Sequence, residues 1–262
     1  MQEKIIEVRN LNVHYFTDKG KFQALRNICF EIQKGEIFCV VGESGSGKTT
    51  LGLSILRILP KNATFEGEIK FKNIDILNCE EKMLKEIRGK EIFMIFQDPL
   101  SSFDPLFSIG YQMQEFLISK KKTISRREMS DMIEETLIKV GFREPRSILK
   151  MYPHQLSGGM LQRIMIAQAL MFHPSLIIAD EPTSNLDVSI ESQIINLFLK
   201  LNREFKITIL FITHNLLLVK KIATRIVVLY KGEIVEEGSF EKIYTSSNFY
   251  VKQLLQSFEE IC

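Results

Sequence analysis

Apolar and polar positions alternate along residues 5–32 in two short runs, 5–13 and 24–32, separated by the polar stretch 17–21. Period-two alternation of this length predicts an antiparallel β layer with one buried face. The polar positions then drop out. Ile37, Phe38, Cys39, Val40 and Val41 form an unbroken apolar run, the pattern of a parallel strand buried on both faces. Similar runs recur at 92–96, 176–179 and 207–212, while 67–71, 226–229 and 233–235 read as further strands. Between them the period changes to that of a helix. Leu51, Ile55 and Leu59 recur every four residues until Pro60, and Met129, Ile133, Leu137 and Val140 stripe a helix predicted over 111–141 and capped by Gly141. Residues 98–110, with Pro99, Pro105 and Gly110, read as a loop, and 240–258 as a helical tail. Strands alternating with helices predict an α/β fold around a parallel sheet. No internal repeat or low-complexity linker interrupts it.

Each of the four apolar runs ends in polar candidates, and open parallel sheets bind ligands at that carboxyl edge. After the first comes GESGSGKTT, residues 42–50, which matches the phosphate-loop pattern G-x-x-x-x-G-K-[ST]. Its cradle runs from Gly42 through Glu43, Ser44, Gly45, Ser46 and Gly47 to Lys48, Thr49 and Thr50. The three glycines let backbone approach a polyphosphate, and the helix N-terminus behind them favours negative charge. Lys48 would reach the β- and γ-phosphates and Thr49 would place its hydroxyl on Mg²⁺. The motif therefore predicts a nucleoside triphosphate with its metal. The second run ends at Gln97. The third ends at Asp180, where a carboxylate can hold the Mg²⁺, and Glu181, which strand alternation would point elsewhere, towards an attacking water. The fourth ends at His214, which could donate to the γ-phosphate or the water.

LSGGMLQR, residues 156–163, opens another helix, with Ser157 as N-cap and Gly158 and Gly159 exposing backbone N–H groups. That makes a second anion site. One nucleotide has no use for a second cradle so far along the chain, unless it serves a nucleotide held by another subunit.

Charge and cysteines narrow the setting. The 34 Lys and Arg against 32 Asp and Glu leave a net charge of +2, with no electrostatic footprint for nucleic acid. The basic run Lys120, Lys121, Lys122, Arg126, Arg127 is local and reads as a solvated face. Cys29, Cys39, Cys79 and Cys262 show no C-x-x-C spacing, which argues against a disulfide framework or zinc site and favours a cytoplasmic setting. The first residues carry Glu3, Lys4, Glu7 and Arg9 and do not read as a signal peptide, and no apolar run is long enough to span a bilayer.

These residues resemble the ATP-binding cassette ATPases of ABC transporters, and the resemblance covers nearly the whole chain. GESGSGKTT is similar to the Walker A loop, Gln97 to the Q-loop glutamine, LSGGM to the signature, LIIADE to Walker B, SNLD ending in Asp187 to the D-loop, and His214 to the switch histidine. Tyr15 sits where the family places an aromatic on adenine. The resemblance implies a P-loop (RecA-like) parallel sheet core with an antiparallel β layer and an inserted helical subdomain, the ABC ATPase fold. The implied division is a nucleotide-binding core of 1–97 and 174–236, a helical subdomain 98–173 with the signature, and a tail 237–262. It also implies that Glu181, His214 and Gln97 serve catalysis and that Thr49, Gln97 and Asp180 hold Mg²⁺. Two subunits would sandwich two ATPs, with Ser157 and Gly159 contacting the partner's γ-phosphate. Met160 replaces the usual Gln of the signature, and Asn215 the common Asp after the histidine. Neither is a principal phosphate ligand.

FQDPLSSFDPLFSIG and YPHQLSGGMLQRIMIAQAL resemble the ATPase subunits of the peptide and nickel importers. By that resemblance the chain is an ATP-hydrolysing motor at the cytoplasmic face of the inner membrane. Its partners are a related or identical second ATPase, two transmembrane permeases and, indirectly, a substrate-binding protein. Asn248 and Phe249 replace the group's usual His-Pro, and the short tail is most like the nickel-importer subunit, so nickel is the expected substrate with di- or oligopeptide the alternative. A soluble ABC-type ATPase acting on DNA or ribosomes is the competitor from another class. It would bring a long coiled-coil insertion or a second cassette, whereas Gln97 and Leu156 lie only 59 positions apart and there is one phosphate loop. A P-loop kinase or GTPase would explain neither LSGGM nor the order Gln97, Asp180, His214. An exporter cassette would often be fused to its membrane spans.

Overall fold

The computed structural model describes residues 3–18, 20–121, 123–184 and 186–259. Lys122 and Cys262, noted above, lie outside them.

The alternating N-terminal runs form two long antiparallel strands, β1 (Lys4–Thr17) and β2 (Gly20–Gln33), paired from Lys4 with Gln33 to Thr17 with Gly20. With β4 (Ala63–Phe71) and β5 (Ile74–Asp75) they make a four-stranded sheet in the order β2-β1-β4-β5. The unbroken apolar runs build the second sheet: β3 (Ile37–Val41), β6 (Ile92–Ile95), β7 (Leu176–Asp180), β8 (Thr208–Thr213), β9 (Arg225–Tyr230) and β10 (Glu233–Gly238). Their order is β10-β9-β3-β8-β7-β6, parallel except for the edge strand β10. Every residue of β3, β7 and β8 is buried. Alternate residues of these strands feed the two cores that cover the faces of the sheet: Phe38 and Val40 pack towards the antiparallel layer, Cys39 and Val41 towards the helices.

Helix α1 (Lys48–Ile55) follows β3, and α2 (Glu81–Ile87) precedes β6. Among the described residues four α-helices lie between β6 and β7: α3 (Ile109–Lys120), α4 (Arg126–Lys139), α5 (Pro145–Leu149) and α6 (Gly158–Leu170). Then α7 (Val188–Phe205), α8 (Leu216–Ile222), α9 (Phe240–Tyr244) and α10 (Phe249–Glu259) complete the chain.

Three helical segments differ from the sequence pattern, and the strand read over 67–71 begins already at Ala63. The first helix stops at Ile55 rather than running on to Leu59, because Arg57 adopts a left-handed backbone (φ 52°) and Ile58 N–H folds back to Leu53 O. The single helix expected over 111–141 is two, since Ser125 caps a new start in a reciprocal capping box with Glu128. Its end does follow the expected Gly141. That residue takes φ 99° and donates to Ile138 O, while Phe142 donates to Leu137 O, the paired bonds of a Schellman motif. The tail is likewise two helices, α9 and α10.

Candidate functional site

Four neighbouring strands, β3, β8, β7 and β6, bring the loop after Val41, His214, Asp180 with Glu181, and Gln97 to one edge of the sheet. A cavity of about 700 Å³ opens there, lined by Gly42, Glu43, Ser44, Gly45, Gly47, Lys48, Thr49 and Thr50 with Gln97, Glu181 and His214, and by Tyr15 on the antiparallel layer. Asp180 and Ser46 are buried beneath it.

The loop has the form of an anion cradle. Gly47 takes φ 108°, and a Cβ there would stand 2.8 Å from Ala24 O, so no other residue fits without displacement. A Cβ at Gly42 would stand 2.2 Å from Leu229 O. Helix α1 has no side-chain cap, and among the described residues its first backbone bond is Leu51 N–H to Gly47 O at 2.9 Å. The amides of Lys48, Thr49 and Thr50 are therefore donors awaiting an acceptor at the positive end of the helix. Lys48 folds back on the loop, its Nζ donating to Gly42 O at 2.7 Å and Glu43 O at 2.9 Å. Burial lowers its ammonium from the usual lysine value, against the opposing pull of Glu181, Asp180 and Glu43. A phosphate would replace two neutral carbonyl partners of this lysine by a charged one.

Asp180 is 3% exposed, and its Oδ1 finds no hydrogen-bond partner among the described residues. Burial raises its carboxyl above the usual aspartate value, the Thr49 hydrogen bond and Lys48 pull it down, and Glu181 pushes it up. A buried, unsatisfied carboxylate oxygen beside a threonine hydroxyl is a hard oxygen donor pair, and it fits Mg²⁺.

Glu181 departs from the simple alternation argument. The strand ends at Asp180, and Glu181 enters the left-handed region (φ 47°) with its N–H still donating to Ile212 O at 2.9 Å. That turn carries its carboxylate into the cavity, while Asp180 does not line it, so the two carboxylates face different ways as expected, though by a turn and not by strand alternation. There Glu181 meets His214 Nδ1, at 2.9 Å from Oε1 and 2.8 Å from Oε2. Asn215 caps α8 by accepting from Leu217 N and Leu218 N, so asparagine meets the local need at this position. Tyr15 lies 3.2 Å, hydroxyl to hydroxyl, from Thr50.

Ser157, Gly158, Gly159 and Asp187 do not line this cavity. They gather where the N-termini of α6 and α7 meet. Ser157 caps α6 by accepting from Met160 N, and Asp187 caps α7 by accepting from Ile190 N. Gly159 presses against Ile190, whose Cγ2 would stand 2.4 Å from an added Cβ. Several lining residues escaped the sequence reading. Phe22, Ala24 and Leu254 border the cavity, and Tyr250 reaches the phosphate loop from behind. None of these carries a motif.

A family model described as "ABC transporter" matches residues 25–184. The dipeptide transport ATP-binding protein DppD of Bacillus subtilis (strain 168) is 42% identical over 258 residues, 97% of this chain and 77% of that protein. The oligopeptide transport ATP-binding protein OppD of the same organism is 41% identical over 243 residues, 92% of this chain and 68% of that protein. Among solved structures, the dimeric post-hydrolysis state of the ATP-binding cassette MJ0796 bound to ADP and Pi superposes with a TM-score of 0.79 at 29% identity, covering 90% of this chain and 99% of that one.

Proposed function

The chain belongs to the ABC transporter family as an ATP-binding subunit, hydrolysing ATP in support of transport, and we propose that the cargo it helps import is a di- or oligopeptide. The observation that carries the choice is relatedness: proteins named for dipeptide and oligopeptide transport match 97% and 92% of the chain at 42% and 41% identity. Their names favour peptide over nickel, the substrate suggested by the tail. The ATPase subunit does not touch cargo, so the choice rests on kinship with them and not on the site.

In this reading ATP lies with its base against Tyr15 and its phosphates in the loop of residues 42–50, on the amides of Lys48, Thr49 and Thr50, where Lys48 exchanges its two loop carbonyls for phosphate oxygens. Thr49 and Asp180, with Gln97, would hold Mg²⁺, which neutralises the phosphate charge when bound. Glu181 orients and deprotonates the attacking water, and His214 holds that carboxylate in place. Ser157, Gly158, Gly159 and Asp187 complete the site of a second ATPase subunit across a dimer interface, a role that explains why they stand apart from the cavity of their own chain. The core of 1–97 and 174–236 then carries the nucleotide, 98–173 the signature, and 237–262 the tail. Two permeases hold the pair at the cytoplasmic membrane face, fed by a substrate-binding protein.

The test is uptake of labelled dipeptide, oligopeptide and nickel by cells carrying either the intact chain or Glu181→Gln. Loss of peptide uptake with nickel uptake intact is the expected result. Loss of nickel uptake alone would overturn the peptide reading, and no loss of any would overturn the importer role.

A further inference from the structure

Glu43 and Tyr250 are 207 positions apart, yet the N–H of Glu43 donates to the Tyr250 hydroxyl at 3.1 Å. The contact is built rather than incidental. Tyr250 is 6% exposed, and its ring stacks on Tyr230 at 3.9 Å between centroids and 28° between planes. Tyr230 ends β9, and two residues later Gly232 N–H donates to Ser46 O at 3.0 Å. The outer side of the phosphate loop is thus tied at two points, to the β9–β10 turn and to helix α10. The start of α10 is fixed in turn by Asn248, whose Oδ1 accepts from Tyr250 N at 3.0 Å and Val251 N at 3.3 Å while its Nδ2 donates to Val235 O on β10. This Asn248 is the residue that stands where the group's usual histidine would be. One turn further on, Leu254 borders the cavity itself.

We propose that α10 is a strut for the phosphate loop and that Tyr250 is its positioning residue, holding the Gly42–Glu43 peptide in the conformation that ATP binds. The proposal rests on the reading of this cavity as the ATP site. Its force comes from what Lys48 does. The peptide joining Gly42 to Glu43 is held from both sides, its C=O (Gly42 O) by Lys48 Nζ at 2.7 Å and its N–H (Glu43 N) by the Tyr250 hydroxyl at 3.1 Å. Once Lys48 leaves for phosphate, the Tyr250 bond is, among the described residues, the tether remaining on the Gly42–Glu43 peptide. A glycine-rich loop released at that moment would gain conformational freedom that binding must remove again. A tether that outlasts the exchange keeps the loop preorganised, which raises affinity without any contact to the nucleotide. Tyr250 touches no reacting group, so the chemical step itself is indifferent to it.

The test uses the full chain and Tyr250→Phe, which removes one oxygen and keeps the ring stack. Losing one neutral hydrogen bond predicts a KM for ATP raised about three- to tenfold, with kcat within about twofold. Hydrogen exchange at the Glu43 amide should quicken, and the melting temperature of the protein without nucleotide should fall by no more than about 2–4 °C. Asn248→Ala, which loosens the start of α10 while leaving the hydroxyl, should move KM and Glu43 exchange in the same direction. Unchanged KM and exchange in Tyr250→Phe would overturn the proposal. So would a fall in kcat at constant KM, or a loss of melting temperature in place of the affinity effect, which would mark the tyrosine as ordinary packing. Lys48→Ala separates the two readings: if it binds ATP as well as the intact chain does, the ATP-site reading fails whatever Tyr250→Phe shows.

Discussion

The carboxylate of Glu181 straddles Nδ1 of His214, with Oε1 at 2.9 Å and Oε2 at 2.8 Å. The pair exists because Glu181 leaves the strand in a left-handed turn, and it divides the labour of the site in a way that can be measured. Glu181→Gln is expected to bind ATP and to lose hydrolysis by at least about 100-fold, the scale of a lost general base. His214→Ala leaves the carboxylate in place but unheld, and should cost hydrolysis on a similar scale while ATP still binds. Because the two act as a unit, the double variant should be little worse than the poorer single one. Phosphate release measured beside binding of a fluorescent ATP checks all three, and near-normal turnover in Glu181→Gln would remove it from the role.

Much of this arrangement was legible in the sequence, for a physical reason. Strands buried on both faces cannot hide polar residues in their interiors, so Gln97, Asp180 and His214 declare themselves as the points where apolar runs end. The turn that aims Glu181 was not legible. Alternation holds only while the strand continues, and nothing in the string of residues announced a positive φ at its first residue beyond the end. The splitting of 111–141 was readable in retrospect from Ser125 and Glu128, a capping box whose signal the hydrophobic stripe concealed. Phe22, Ala24, Tyr250 and Leu254 left no signal at all. They reach the site through sheet pairing and helix packing over long separations, which carry no local pattern.

Lys48 and Asp180 should fail in different ways. Lys48→Ala removes the counter-charge to the phosphates, and loss of ATP binding is expected. Asp180→Asn keeps the shape and discards the charge that suits a hard cation, so ATP hydrolysis should be rescued in part by raising Mg²⁺ well above the level that saturates the intact protein. Chelating Mg²⁺ should stop turnover of the intact protein without lowering the melting temperature of its nucleotide-free form. A Mg²⁺ titration of ATPase rate decides the point. The same Mg²⁺ dependence in Asp180→Asn and the intact protein would exclude Asp180 as the metal's ligand.

Gly159 has a packing reason to be glycine and, on the proposed dimer, a second one, and they can be separated. Its Cβ would collide with Ile190 Cγ2 at 2.4 Å where α6 crosses α7, quite apart from any contact across a dimer. Gly159→Ala should therefore lower the melting temperature, by an overpacking cost of about 1–3 kcal/mol. Adding Ile190→Ala should restore stability through the coupling expected of residues in contact. ATPase activity should return with stability if packing is the whole requirement, and stay low if the glycine is also needed by a partner's nucleotide.

The last prediction concerns the end of the sheet away from the nucleotide, where Arg225 joins the two sheets. Its guanidinium donates to Glu36 Oε1 at 2.8 Å and Oε2 at 3.1 Å, to Glu237 Oε1 at 2.6 Å and to the backbone carbonyl of Glu31, and it lies over the Phe38 ring at 4.9 Å. Glu36 is 7% exposed and also accepts from Gln33 N, so its carboxylate is shut in with this one cation. Removing a single partner of such a pair strands the other charge, and Arg225→Ala should cost roughly 3 kcal/mol. For a chain of this size that is a fall of about 6–12 °C in melting temperature. Replacing both members, Glu36→Gln with Arg225→Met, removes the stranded charge and should recover at least half of the loss, since the pair as a whole repays little beyond its own desolvation. Thermal melts of the three variants test this. A double variant as unstable as Arg225→Ala would show that the stacking on Phe38 and the bonds to Glu31 and Glu237, and not the buried charge of Glu36, make Arg225 necessary.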